Sequence, residues 1–188
     1  MMNASEAHPI RKPFPRSYWV VPGLLLAGCY PGSLIFEEAE MKLSGLVACG
    51  IGRVITLMEE DERDWLGKPF IPYGSRLHAL AAAAGRPIEV VRHPIRDGGV
   101  PTPERMRIIL DDIKASHARG TPVYVHCWGG KGRTGTVVGC FLMRCGMAES
   151  ESVLDMIDRM RREDPKRYDP SPENDRQREM VTFWRERS

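Results

Sequence analysis

Two side chains in the second half of the chain, Cys127 and Arg133, have the types and the spacing to act together on a phosphate group. A thiolate is a strong nucleophile, and a guanidinium group offers a planar fork of donors that matches two phosphate oxygens. Three glycines, Gly129, Gly130 and Gly132, lie between them. The chemistry that this pattern suggests is hydrolysis of a phosphate monoester through a covalent cysteinyl-phosphate.

The residues around this pair predict a strand, a tight loop and a helix in direct succession. Val123 to His126 is an apolar run of β type, and Val137 to Met143 is typical of a buried helix. A loop between a strand and a helix N-terminus gathers backbone N–H groups and the positive end of the helix dipole. We therefore expect the amides from Trp128 to Arg133 to bind the phosphate oxygens, and the thiol of Cys127 to ionise easily.

The run His126-Cys127-x5-Arg133-Thr134-Gly135 resembles the signature loop of the protein tyrosine phosphatase superfamily. It looks most like the dual-specificity branch, whose members are small single domains. The resemblance implies that Cys127 attacks phosphorus, that Arg133 holds the equatorial oxygens, and that neither a metal nor another cofactor takes part. It also implies that His126 orders the loop and does not act as a base.

Three supporting residues have a functional and a structural interpretation each. The hydroxyl of Thr134 can hydrogen-bond the thiolate and ease its departure, or it can cap a helix over Thr136–Met143. His126 can equally be a buried histidine with satisfied hydrogen bonds. Ser171-Pro-Glu-Asn-Asp-Arg-Gln177 resembles a Ser-Pro-Glu-x-x-x-Gln stretch common in this family, which implies a role for Gln177 in positioning the hydrolytic water; the alternative is a glutamine on a helix surface.

A general acid has to protonate the leaving oxygen, and Asp97 is the candidate. It lies on a glycine-flanked loop after a predicted strand, so it can reach the phosphate-binding loop from Cys127 to Arg133, called the cradle. The family places its acid on such a loop. The alternative is an ordinary turn aspartate, because Asp-Gly is a common turn pair. Asp61 and Asp64 are rivals for the role, although the acidic run Glu59 to Asp64 has the composition of a solvated segment.

Lys131 bears on the substrate. With Gly130 before it and Gly132 after it, this lysine resembles the lipid-phosphatase version of the loop, in which a second cation favours polyanionic substrates such as inositol phosphates. That version also has a lysine directly after the cysteine, where this chain has Trp128. Trp128 can instead pack under an aromatic substrate ring or against the domain.

Length and composition indicate one ordinary globular domain. The 188 residues are 42% hydrophobic and 28% charged, and the formal net charge of +2 argues against a partner that is bound by bulk electrostatics, such as nucleic acid. The five cysteines form no CxxC pair and no zinc spacing, which fits a reducing compartment. No apolar run is long enough to span a membrane, and we expect a soluble cytoplasmic protein.

The pattern of elements predicts an α/β fold with a central mixed, partly parallel sheet flanked by helices. We expect a flexible N-terminal arm over residues 1–16 and a catalytic domain over residues 17–188. Strands are expected in 17–21 and 24–27, split by a turn at Pro22-Gly23, and in 53–58, 88–95 and 123–126. Helices are expected in 34–49, 77–84, 102–119, 136–143 and 150–162, with a last helix after residue 171.

The hypothesis from the sequence is a phosphatase for phosphotyrosine or phosphoserine/threonine in proteins. An inositol phosphate or phosphoinositide is the alternative substrate class. A phosphate-binding adaptor without turnover is a rival from another class, and the presence of Cys127, Arg133 and Asp97 argues against it. A sulfurtransferase or an arsenate reductase would also use a cysteine loop, but a sulfurtransferase would not need Asp97.

Overall fold

The computed structural model describes residues 11–185, which form a five-stranded sheet and six α-helices. None of the helices within this range is long and apolar enough to cross a membrane. In chain order, the elements are β1 (Ser17–Val21), β2 (Leu25–Gly28), α1 (Phe36–Ala48), β3 (Arg53–Thr56), α2 (Gly74–Ala83), β4 (Glu89–Arg92), α3 (Pro103–Ala118), β5 (Val123–His126), α4 (Gly132–Arg144), α5 (Val153–Met160) and α6 (Asp175–Thr182).

The sheet is mixed, with the strand order β1-β2-β5-β3-β4. Strands β2, β5, β3 and β4 are parallel, and β1 pairs antiparallel with β2 at one edge. The register aligns the last residues of the parallel strands, because His126 pairs with both Gly28 and Thr56, and Thr56 pairs with Arg92. The segments that follow β2, β5, β3 and β4 therefore emerge side by side at one edge, which is where α/β sheets bind ligands.

Helices cover both faces of the sheet. Helices α3, α4, α5 and α6 pack on one face around residues such as Ile109, Val138 and Ile157, and α1 and α2 pack on the other around Leu46 and Leu77. The central strand β5 serves both cores, because Val123 and Val125 face one side and Tyr124 faces the other. All four residues of β5 are buried, so the strand that leads to Cys127 is fixed by packing on both faces.

The predicted fold class, an α/β domain with a mixed sheet between helices, is confirmed. Of the predicted N-terminal arm, residues 1–10 lie outside the described residues. At the end of the arm Phe14 is 3% exposed and packs edge-on against Tyr124 with ring centroids 5.9 Å apart, so the described core includes a residue from before position 17.

The predicted bounds of the helix after the signature loop were wrong. Helix α4 begins at Gly132, and its first turn is closed by the hydrogen bond from Gly135 N to Lys131 O. Glycine content suggested loop at these positions, yet the close packing of Ser171 over this turn requires them: a Cβ on Gly135 would lie 2.3 Å from Ser171 Oγ. Arg133 and Thr134 are therefore helical residues.

Candidate active site

The thiol of Cys127 lies at the floor of a loop formed by residues 127–131 between β5 and α4. The residue is 3% exposed, and the backbone N–H of Gly130 donates a hydrogen bond to its Sγ at 3.3 Å. Since α4 begins at Gly132, the sulfur also lies before the positive end of that helix. An amide donor and a helix N-terminus together stabilise a negative charge on sulfur.

The loop is held from outside by two residues that flank the first two strands, one just before β1 and one just after β2. Arg16 Nη2 donates to Gly129 O at 2.6 Å, and Tyr30 N donates to Trp128 O at 2.9 Å. Gly130 has φ +72°, and a Cβ there would lie 2.6 Å from the backbone N of Cys29, so only glycine fits. With these carbonyls turned outward, the N–H groups of the loop are left to bind an anion.

The guanidinium of Arg133 is 1% exposed, which is unusual for an arginine, and it is paired on several sides. Nη1 and Nη2 donate to the two carboxylate oxygens of Glu62 at 2.6 and 2.7 Å, and Nη1 donates to Ile95 O at 3.0 Å. Burial acts to lower the pKa of Arg133, but the hydrogen bonds to Glu62 and the charges of Cys127 and Asp97 outweigh it and raise that pKa. The cation is therefore permanent and its plane is fixed.

Glu62 is the functional residue that the sequence analysis missed. It belongs to the acidic run that was predicted to be solvated, yet its side chain is only 7% exposed, because both of its oxygens are taken by Arg133. The prediction was wrong at this position, whereas Glu59, Glu60 and Asp61 are exposed. A buried arginine needs a carboxylate partner. Glu62 could have been found by looking for that carboxylate in the segment that follows β3, the strand beside β5.

Asp97 forms an ion pair with the same guanidinium group. Its Oδ1 lies 2.9 Å from Arg133 Nη2, and its side chain is 60% exposed, so the carboxyl group lies between the cradle and solvent. Its loop turns at Gly98, which has φ +67°. Asp64, a rival for the general-acid role, uses its Oδ1 to accept the backbone N–H groups of Leu66 and Lys68.

Two side chains near the start of α6 hold the Asp97 loop in place. Asn174 Nδ2 donates to Gly98 O at 2.9 Å, and Gln177 Nε2 donates to Gly99 O at 3.1 Å. Gln177 is fully buried, and its Oε1 accepts the N–H of Glu173 at 3.0 Å, so it is not the surface glutamine of the alternative interpretation. A role of Gln177 in positioning water stays a prediction. The two hydrogen bonds connect the start of α6 with the loop that carries Asp97.

Lys131 is paired with carboxylates and does not stand free at the rim. Its Nζ lies 3.0 Å from Glu173 Oε1 and 3.2 Å from Asp169 Oδ2. Its backbone O accepts the hydroxyl of Ser171 at 2.8 Å. The cation that suggested a polyanionic substrate therefore has its charge balanced within the protein, and it connects the phosphate loop to the segment before α6.

His126 is fully buried and neutral. Its Nδ1 lies 3.1 Å from the carbonyl oxygen of Cys127, so Nδ1 carries the proton, and Nε2, at 2.7 Å, accepts from the hydroxyl of Tyr73. Burial, together with the charge of Arg133, lowers the pKa of His126 from 6.5 to about 4. A neutral imidazole with both nitrogens bonded fixes the backbone at Cys127, in agreement with the ordering role.

Thr134 does not cap a helix. The residue before α4 is Lys131, whose side chain makes no capping hydrogen bond, and Thr134 lies in the first turn. Its Oγ1 is buried and has no hydrogen-bond partner within the described residues. A buried, unpaired hydroxyl beside the cradle is available to a bound group or to the sulfur.

A family model described as "Swiss Army Knife protein, DSP-PTPase phosphatase domain" matches residues 15–183. The chain belongs to this family. The predicted membership of the dual-specificity branch of the tyrosine phosphatase superfamily is thereby confirmed.

Relatives and solved structures show further similarities. The uncharacterized protein MJECL20 of Methanocaldococcus jannaschii is 53% identical to this chain over 45 residues, which are 24% of this chain and 31% of that protein. The match thus spans less than a third of that relative. The active form of Tk-PTP has a TM-score of 0.66 at 26% identity, covering 89% of this chain and 95% of the other. PTPMT1 in complex with PI(5)P has a TM-score of 0.64 at 19% identity, covering 88% and 92%.

Replacing Glu62 by Gln is expected to lower the kcat/KM of this phosphatase for p-nitrophenyl phosphate by roughly 10²-fold, because the guanidinium of Arg133 loses the charged partner that fixes its plane. The matched control is Glu60→Gln, which changes an exposed neighbour and should leave kcat/KM within about twofold. Equal values for Glu62→Gln and wild type, both folded, would contradict the positioning role of Glu62.

The neutral state of His126 makes the stability of this phosphatase depend on pH. The unfolded protein binds a proton at His126 below about pH 6.5, whereas the folded protein does so only near pH 4, so stability is full above 6.5 and is lost as the pH falls toward 4. We expect the free energy of unfolding to fall by roughly 2 kcal/mol from His126 between about pH 7.5 and about pH 5. Urea unfolding of wild type and His126→Asn tests this, and parallel pH dependences would refute it.

Proposed function

We propose that the protein is a cysteine-dependent phosphatase that hydrolyses phosphate monoesters on proteins, at phosphotyrosine or phosphoserine/threonine, through a cysteinyl-phosphate intermediate. The observation that carries the proposal is the convergence of Cys127, Arg133 and Asp97 at one edge of the sheet. A nucleophile, a fixed cation and an exposed acid are the three groups that this reaction requires.

In the first step, the thiolate of Cys127 attacks phosphorus, and the bond from phosphorus to the ester oxygen breaks. The leaving oxygen takes a proton from the carboxylic acid of Asp97. Arg133 and the loop amides hold the equatorial oxygens, over which charge is spread in the transition state. The fixed plane of Arg133 makes this stabilisation available without rearrangement.

In the second step, water attacks the phosphorus of the cysteinyl-phosphate. The carboxylate of Asp97 accepts a proton from that water, the sulfur–phosphorus bond breaks, and Cys127 leaves as a thiolate with inorganic phosphate as the product. The free hydroxyl of Thr134 can donate to the departing sulfur. Asp97 returns to its acid form, so the cycle is balanced.

Electrostatics favour a protein substrate over an inositol polyphosphate. The charge of Lys131 is already balanced by Asp169 and Glu173, so its attraction for further phosphate groups is weaker. Exposed Glu59 and Glu60 lie on the segment that carries Glu62, and they repel a polyanion near the cradle. The second candidate, an inositol phosphate or phosphoinositide, is favoured by the Lys131-Gly-Arg pattern and by the PI(5)P bound to PTPMT1.

The mechanism is tested by hydrolysis with EDTA present. Cys127→Ser should abolish turnover of p-nitrophenyl phosphate. Asp97→Asn should cost about 10²-fold in kcat/KM with phenyl phosphate, whose leaving group needs a proton, and no more than about tenfold in kcat/KM with p-nitrophenyl phosphate. Turnover of Cys127→Ser near the wild-type level, or equal losses in Asp97→Asn for the two esters, would contradict the assigned roles.

Lys131→Ala distinguishes the two substrate classes. If the cation is used structurally, the variant should lose activity on a phosphopeptide and on an inositol polyphosphate by the same factor, within about twofold. Asp169→Asn is the matched control, since it removes one partner of the lysine and keeps the cation. A loss confined to the inositol polyphosphate would favour the second candidate.

A further inference from the structure

An apolar furrow opens beside the phosphate loop. It consists of two adjoining cavities of about 230 and 310 Å³ that share Leu34 and Ile71. The first cavity reaches Phe70 and Trp128, and the second reaches Phe36 on the far side. These five side chains define the apolar furrow.

The side chains at the outer part of the furrow are unusually exposed for their type. Leu34 is 80% exposed, Phe36 65% and Ile71 47%. Single exposed apolar residues are common on any protein, but a contiguous group that lines a concavity indicates a bound partner. Covering this apolar surface with another apolar group removes it from water and lowers the free energy.

The furrow is continuous with the catalytic cradle. Trp128 directly follows the nucleophile Cys127 in the chain, and its ring packs edge-on against Phe70 with centroids 5.4 Å apart. The ring of Phe70 in turn packs against that of Tyr30, with centroids 5.0 Å apart. Trp128 therefore belongs both to the phosphate loop and to the lining of the first cavity, so residues next to a bound phosphate can reach the furrow past its ring.

The cationic side chains along the furrow, apart from Lys68, are held by other groups of the protein. Lys42 Nζ lies 2.6 Å from Glu38 Oε1, and Arg76 Nε donates to Glu40 Oε2 at 2.8 Å. Arg16, at the inner end, donates to the loop carbonyl of Gly129. A single lysine that is unpaired among the described residues, beside charges that are already paired, offers little to an anionic membrane surface, so the furrow favours apolar groups.

We propose that this phosphatase recognises phosphoprotein segments that carry large apolar side chains next to the phosphorylated residue, and that the apolar furrow binds those side chains. The inference rests on the proposed function and names its substrate class more closely. The phosphate supplies the anchor in the cradle, and the apolar neighbour supplies selectivity by removing its own surface and that of Leu34 and Ile71 from water.

Two phosphotyrosine peptides that differ only in their flanking residues, leucine in one and serine in the other, test the proposal. Wild type should prefer the leucine peptide by about tenfold in kcat/KM, with each value divided by that for p-nitrophenyl phosphate. Leu34→Ser and Ile71→Ser should bring this preference to within about twofold of unity. Ile108→Ser on α3, whose side chain is 48% exposed like that of Ile71, is the matched control and should keep the preference.

The same peptides titrated into Cys127→Ser protein report affinity without turnover, so the furrow is tested even if catalysis is absent. Failure of wild type to hydrolyse p-nitrophenyl phosphate would overturn the proposed function alone. Hydrolysis without a leucine preference, or a preference that survives both furrow variants, would overturn the furrow proposal. The furrow proposal would also be overturned if the protein does not distinguish the two peptides but binds phosphatidylcholine vesicles that contain a phosphoinositide, and if Leu34→Ser weakens that binding.

Discussion

A buried guanidinium has to be paired, and the pairing of Arg133 with Glu62 is the interaction around which the site is built. Leaving one partner of such a pair alone inside a protein costs about 3–5 kcal/mol. Arg133 comes from the helix after β5, Glu62 from the segment after β3, and the carbonyl of Ile95 from the segment after β4. The guanidinium therefore binds together three segments that are neighbours only because the strands are parallel and in register.

The arrangement separates what is rigid from what is exposed. The cation and the sulfur are both buried and held by hydrogen bonds, whereas Asp97 is mostly exposed and reaches them from a loop. That loop is anchored by Asn174 and Gln177, so the last helix of the domain positions the acid without touching the reacting atoms. A fixed oxyanion site beneath an accessible acid suits a reaction in which the leaving group has to be protonated and then replaced by water.

The sequence predicted the elements that build the cradle, because strand, loop and helix follow one another within residues 123–144 and each has a clear local pattern. It could not predict Glu62, since the acidic run around it has the composition of a solvated segment and only the long-range contact with Arg133 buries it. Gln177 and Lys131 were uncertain for the same reason: their partners, Gly99 and Glu173, are brought to them by tertiary packing. The start of α4 was placed late because glycines, which disfavour helices locally, are required there by close packing.

The most direct test of the account is to trap the phosphorylated enzyme. In Asp97→Asn, formation of the intermediate from p-nitrophenyl phosphate needs no acid, whereas its hydrolysis lacks the base, so the intermediate should accumulate. Mass spectrometry of acid-quenched protein should find one phosphoryl group on the peptide that contains Cys127, appearing together with a burst of p-nitrophenol. A burst without this group, or a phosphoryl group on any other residue, would contradict the central claim that Cys127 is the nucleophile held beneath a fixed Arg133.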